Sequence, residues 1–225
     1  MLTADYDVVI PVCNGGSMLL EALASIQEQS LPPRQIIVVD DGSTDGTAVR
    51  AQAAAPTATV ITQQNRGIGG ALDAGVAVCK SSFVAFLDHD DLWLPGKAEA
   101  QMSRMLGEER SDVVSGGVVN RWVRGCHVFR EELMGSARVL GASLFKTEFV
   151  RSVGSFSLDA GHHEVIAWWS LAARFAPRVV RDEDVVLVRR IHGANSTMGL
   201  TKETADSDLF RRLREHIHAK RDERT

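Results

Sequence analysis

The chain has 225 residues, 44% hydrophobic and 24% charged, with a formal net charge of -4. That length suits one substantial α/β domain and barely suits two. A net negative chain without clustered Lys and Arg argues against a polyanion-binding surface, so nucleic acid is not an expected partner. Cys13, Cys79 and Cys126 are odd in number and form no C-x-x-C pair, which points away from a disulfide framework or a zinc site and towards a reducing compartment. No basic segment followed by an apolar run opens the chain, and no apolar stretch approaches the roughly 18 residues that span a bilayer. The expectation is a cytoplasmic protein with no transmembrane segment that meets membranes only peripherally.

Apolar, β-branched runs over Asp7–Val12, Gln35–Val39, Thr59–Thr62 and Phe83–Leu87 predict four buried strands. Between them, helical spacing marks Met18, Leu19, Ala22, Leu23 and Ile26, then Thr47–Ala55, then Ile68–Val78. Strands alternating with helices predict right-handed crossovers and a mostly parallel, Rossmann-like sheet flanked by helices. Beyond Pro95 the alternation weakens: a helix over Gly96–Leu106, a strand near Asp112–Val119, an apolar stretch over Arg138–Phe145, a helix over Glu164–Phe175 and a strand over Val185–Ile191 predict a mixed second half. From Thr201 onward a charged helix is expected, whose stripe of Leu209, Phe210, Leu213 and Ile217 would pack on the domain or on the second subunit of a homodimer. Residues 1–197 therefore read as one domain, with a ligand-binding half at 1–110 and a second half at 111–197, followed by the helix at 198–225.

In parallel sheets ligands collect at the carboxyl ends of the strands. Those ends carry Pro11-Val12-Cys13-Asn14, Asp40-Asp41-Gly42-Ser43, Gln63 to Gly67, and Asp88-His89-Asp90-Asp91. Three carboxylates crowded at one strand end repel one another. A hard divalent cation such as Mg²⁺ or Mn²⁺ relieves that repulsion. Asp88 and Asp90 fall near one side of the strand end, where one can hold metal and the other a ribose hydroxyl; a solvated acidic turn before the helix after Pro95 is the plainer alternative. At Asp40-Asp41 the carboxylates can accept hydrogen bonds from a base N–H or ribose hydroxyls, with Asp41 as the ligand-binding member, while Asp-Gly makes the turn and Asp45 serves structure.

Val9-Ile10-Pro11-Val12-Cys13-Asn14, Val38-Val39-Asp40-Asp41-Gly42-Ser43-Thr44-Asp45, Asn65-Arg66-Gly67 and Phe86-Leu87-Asp88-His89-Asp90-Asp91, in this order and spacing, together resemble the nucleotide-binding half of family 2 glycosyltransferases. The likeness is strong over residues 5 to 97 and looser to about 197. It implies a GT-A fold, a nucleotide diphosphate sugar as donor, a divalent metal, and inversion at the anomeric carbon. By position, it implies Asp41 as the base contact, Asp88 as the ribose contact and Asp90 as a metal ligand, with Pro11 and Asn14 in the nucleoside pocket. Leu72 stands where the family usually has Arg, leaving Arg66, beside Gly67, as a substitute for the diphosphate contact.

In the second half, His163-Glu164 stands where the family carries an acidic pair before an aromatic helix. Glu164 is the candidate base, with His163 able to serve instead; the plainer alternative is that His162 and His163 cap the helix. Arg190-Ile191-His192-Gly193 resembles the family's Arg-x-His-Gly turn, which implies His192 at the metal or diphosphate; Arg190 could neutralise phosphate charge, with an exposed surface role as the alternative. Trp93, Trp168 and Trp169 read as core packing rather than a sugar platform, Trp93 as scaffold. The first strand leads to Asn14-Gly15-Gly16-Ser17 rather than G-x-G-x-x-G, which disfavours a dehydrogenase. The expected activity is transfer of a hexose-like sugar from a UDP- or dTDP-sugar to a glycan, lipid-linked or small-molecule acceptor. A non-catalytic nucleotide-sugar-binding module of the same fold is the alternative.

Overall fold

The structure is a computed structural model that describes residues 5–107, 111–136, 138–158 and 163–193. Its parallel half holds β1 (Tyr6–Val12), β2 (Gln35–Asp41), β3 (Thr59–Gln63) and β4 (Phe83–Phe86), joined by helices α1 (Met18–Gln27), α2 (Thr47–Ala54) and α3 (Gly67–Val78). The order across the sheet is β3-β2-β1-β4. β1 and β4 are buried along their whole length. That is why they read as unbroken apolar runs: helices cover both faces of a parallel sheet. Pro11 pairs with Val39 of β2 but lies beyond the last β1 pair with β4, Val9 with Phe86, so its missing N–H interrupts no bond on that side.

After β4 the chain makes β5 (Leu92–Trp93), α4 (Lys97–Leu106), β6 (Val113–Arg124), β7 (His127–Ser136), β8 (Ser143–Lys146), α5 (Thr147–Val153), α6 (Glu164–Ala172) and β9 (Val179–Ile191). β8 runs antiparallel to β4 and to β6, whereas β9 runs parallel to β6. The full order β3-β2-β1-β4-β8-β6-β9-β5, with β7 on the outside of β6, makes one continuous mixed sheet. The two-residue β5 pairs antiparallel with β9, Leu92 opposite Val188. This short zipper brings the end of β9 back to the segment that follows β4.

The expected mixed second half is present, with differences in detail. β6 continues to Arg124 rather than ending near Val119, and β9 begins at Val179 rather than Val185. The Arg138–Phe145 stretch contains a 3-10 turn at Leu140–Ala142 before β8, and α6 passes into another at Ala173–Phe175. The helix expected from Thr201 lies outside the described residues, as does His162. Among the described residues no helix is long and apolar enough to cross a membrane.

One face of the sheet packs Leu19, Leu23 and Ile26 of α1 with Met102 and Met105 of α4. The other packs Leu72 and Val76 of α3, Val150 of α5 and Trp168 of α6. Leu72 is thus core, and all three tryptophans expected inside are buried. Trp93 donates its indole N–H to Gly141 O at 2.9 Å, and Trp168 donates to Gly154 O at 3.1 Å, meeting the polar requirement that comes with burying an indole.

Candidate functional site

The acidic site begins where β4 ends. Asp88, Asp90 and Asp91 place carboxylate oxygens within 4.8 Å of one another. Burial pushes the Asp88 carboxyl up to about 6, helped by the Asp90 charge and opposed by Arg189. Asp91 is raised well above the usual carboxylate range by burial, then by Asp88 and Asp90. Three acids arranged so that charging one penalises the next form an all-oxygen donor set. That fits a hard divalent cation.

β9 supplies the other side of this cluster. His192 Nε2 lies 3.1 Å from Asp90 Oδ2, so the imidazole and the carboxylate expected on one metal do come together, although 102 residues separate them. Asp91 accepts the Arg190 backbone N–H at 2.9 Å and is buried, which ties it to the scaffold. Arg190 itself points into the fold. Its Nε donates to Asp90 O, Nη1 to Glu21 on α1, and Nη2 to Met18 O at 3.3 Å. Its side chain is 7% exposed. Arg190, expected at the diphosphate, thus has its guanidinium engaged by three scaffold oxygens, which ties β9 to α1 and to the acidic turn. His89, beside them, has its basicity lowered by burial, with Asp90 acting against that shift, and it hydrogen-bonds to the Pro11 backbone.

The second cluster lies at the ends of β1, β2 and β3. Asp40 accepts Ser43 N at 2.9 Å, closing the Asp-Gly turn. Asp41 Oδ1 accepts Gln63 Nε2 at 2.8 Å and Arg66 N at 2.8 Å. Asn14 takes a left-handed backbone, φ 55, which Asn tolerates. It bonds across to β2's loop, its N–H donating to Ser43 Oγ at 2.7 Å and its Oδ1 accepting Thr44 N at 2.9 Å. Asp45 accepts Thr47 N and Thr47 Oγ1 and pairs with Arg50. It is structural, as expected, and the Thr47 hydroxyl is the main reason its carboxyl stays below the usual range. Arg66 is exposed and Gly67 opens α3 with φ +77.

Glu164 sits at the start of α6 and extends its Oε2 to Gly69 N at 2.8 Å. This carboxylate of the second half therefore meets the N-terminal turn of α3, where unpaired N–H groups and the helix dipole favour negative charge. His163 precedes α6 and is buried, with no side-chain cap bond, so the plainer reading of it as a side-chain cap does not hold.

Against known proteins, the profile of glycosyl transferase family 2 matches residues 7–151. The chain belongs to that family. An uncharacterized glycosyltransferase of Rickettsia typhi is 26% identical over 208 residues, covering 84% of this chain and 65% of its own length. The chain thus spans just under two thirds of the length of that relative. Among solved structures, S. aureus TarS residues 1–349 in complex with UDP matches with TM-score 0.62 at 16% identity, over 95% of this chain and 72% of that one. The mannosyltransferase PcManGT of Pyrobaculum calidifontis, in complex with GDP-Man and Mn2+, matches with TM-score 0.63 at 20% identity, over 84% and 58% respectively. Both establish the GT-A fold for this family 2 chain.

Several residues of the site were not singled out by sequence reasoning. Gln63 braces Asp41, and Glu21 anchors Arg190. Arg189, half-buried, is the cation that offsets both Asp88 and Asp91. Gln63 had a signal, since it directly follows the strand expected over Thr59–Thr62. Glu21 had none, because its role depends on a partner 169 residues away.

Proposed function

We propose that the chain transfers one sugar from a nucleotide diphosphate sugar to an acceptor hydroxyl by single displacement with inversion. The observation that carries this is the meeting of Asp88, Asp90 and His192 at the end of β4, in a GT-A fold, beside the Asp41 cluster. In this reading Asp41 contacts the base, Asp88 the ribose, and Asp90 with His192 holds Mn²⁺ or Mg²⁺. Pro11 and Asn14 shape the nucleoside pocket, and Arg66 beside Gly67 is the cation available to the diphosphate. The metal, when bound, supplies positive charge to the departing phosphates.

Glu164 acts as the base. It takes the proton of the acceptor hydroxyl as that oxygen bonds to the anomeric carbon, while the bond from that carbon to the diphosphate oxygen breaks and the electron pair leaves with the nucleoside diphosphate. The Gly69 N–H on Oε2 holds the carboxylate in place. A UDP-sugar is the favoured donor. UDP occupies the TarS complex, whereas PcManGT holds GDP-Man with Mn2+, so both bases belong in the test.

The experiment is a panel of UDP-, dTDP- and GDP-sugars with Mn²⁺, reading thermal stabilisation and nucleoside diphosphate release together, with EDTA as control. Metal-dependent release from one donor supports the transferase and names the donor. Stabilisation without release, even with candidate acceptors, would favour a binding module; no response to any donor would sink both readings.

A further inference from the structure

Asp73 lies on α3 and its carboxylate holds a turn of the acceptor half. Oδ1 accepts Phe156 N at 2.7 Å, and Oδ2 accepts Ser155 Oγ at 2.5 Å and Ser157 N at 3.1 Å. The held residue, Phe156, is 1% exposed and stacks on Trp168 of α6, ring centroids 4.5 Å apart and planes 17° from parallel. Trp168 lies four residues after Glu164, and residues four apart share a helix face. Glu164 in turn bonds to Gly69 N, and Gly69 lies four residues before Asp73. The contacts close a ring: Asp73, the Ser155–Ser157 turn, Phe156, Trp168, Glu164, Gly69, and along α3 back to Asp73.

Close packing at Gly69 shows how tightly the ring is drawn. A Cβ there would stand 2.7 Å from Phe156 O and 2.9 Å from Glu164 Oε2. The N-terminal end of α3 also receives Asp41 through the Arg66 N–H. One helix end therefore registers the nucleotide-side acid and the acceptor-side acid against each other.

We infer that Asp73 is a positioning residue that sets Glu164 against the sugar donor by fixing the Ser155–Ser157 turn to α3. The inference rests on Glu164 being the base, and it assigns Asp73 no contact with substrate. Loss of the clamp shifts α6, and with it the carboxylate, while the nucleotide cluster on β1, β2 and β4 is untouched. Misplacing a reacting group by about 1 Å can cost on the order of 100-fold in rate, so the effect belongs in kcat rather than in donor KM.

The test compares Ser155→Ala, Asp73→Asn and Asp73→Ala with the unaltered chain and Glu164→Gln. One readout is release of nucleoside diphosphate from UDP-GlcNAc and GDP-mannose with Mn²⁺ and water as acceptor. The other is amide exchange at Gly69. Asn can still accept Phe156 N and donate to Ser155 Oγ, so graded loss is expected: kcat lower by about tenfold or more in Asp73→Ala, donor KM within about twofold, and most of the rate restored in Asp73→Asn. Gly69 exchange should quicken in Asp73→Ala and stay slow in Asp73→Asn. Unchanged kcat in Asp73→Ala, or a joint change in kcat and KM that Asn does not rescue, overturns the inference. Release that survives Glu164→Gln refutes the base itself, and the positioning role falls with it. If the unaltered chain releases nothing from either donor, Gly69 exchange decides alone, and equal exchange in Asp73→Ala and the unaltered chain overturns the clamp. Should Asp73→Ala fail to fold, Ser155→Ala, which removes one bond of the three, carries the same comparison.

Discussion

Lys97 enters α4 directly after Pro95 and Gly96, and the helix carries its ammonium into the core rather than to water. It is 2% exposed, donates to Gln101 Oε1 at 2.7 Å and lies 4.2 Å from the centre of the Trp93 ring. Burial lowers its pKa to about 7, from 10.5 for the exposed side chain. Between those values the unfolded chain binds a proton that the folded chain does not, so this group makes stability rise with pH from about 7 to 10.5 and leaves its full penalty in place below 7. The contribution is on the order of a few kcal/mol. Lys97→Met should flatten that rise. Because it also leaves the Gln101 carbonyl without its donor, at about 1–3 kcal/mol, the informative quantity is the slope of urea-measured stability between pH 7 and 9. An unchanged slope would mean that Lys97 is solvated in the folded chain.

Asp90 presents the opposite balance, a carboxylate among carboxylates with His192 at 3.1 Å. Asp90→Asn keeps the shape and removes the charge that a cation would need. Metal-dependent release should fall by roughly 100-fold or more, with little loss in melting temperature, since relieving repulsion at Asp88 and Asp91 offsets the lost interaction. Near-normal metal-dependent turnover in this variant would remove Asp90 from the metal site.

α3 lies so close to β1 that a side chain on Gly75 has no room: an added Cβ would stand 2.3 Å from Val9 Cγ1. Gly75→Ala gains up to about 1 kcal/mol of helix propensity but overpacks a site between buried elements, at a cost of about 1–3 kcal/mol. A net loss in midpoint temperature is expected, and a gain would show that α3 can move off the sheet. β1, β2 and β4 of the parallel half were legible because burial on both sheet faces leaves long apolar runs, whereas β3, expected to be buried, is only half-buried and was legible from its β-branched residues. β7 was not: it reads His127-Val128-Phe129-Arg130-Glu131-Glu132 and is exposed along nearly all its length, so no core imposes a period on it. The early part of β9 was hidden in the same way by Arg181, Asp182, Glu183 and Asp184. The acids at strand ends were legible from crowding alone. The scaffold role of Arg190 was not, because only the β5 and β9 pairing brings it against Met18 and Glu21.

The two halves of the chain share one sheet, joined where β4 pairs with β8, and share α3, which takes Asp41 from one side and Glu164 from the other. Neither half can open its edge without exposing the aromatic contacts of Phe86 with Phe145 and Phe156. The chain should therefore unfold in one transition by calorimetry, with calorimetric and van't Hoff enthalpies in agreement. A donor that engages Asp41 and Asp88 must then stabilise the second half as much as the first. At about 100 times its Kd it adds about 2.7 kcal/mol, which for a chain of this size raises the single midpoint by about 5–10 °C. EDTA should remove most of that shift if the metal is a shared ligand of protein and diphosphate. Two resolved transitions, of which the donor moves only one, would show instead that the shared sheet does not couple the halves, and base and donor would then have to be brought into register by the acceptor.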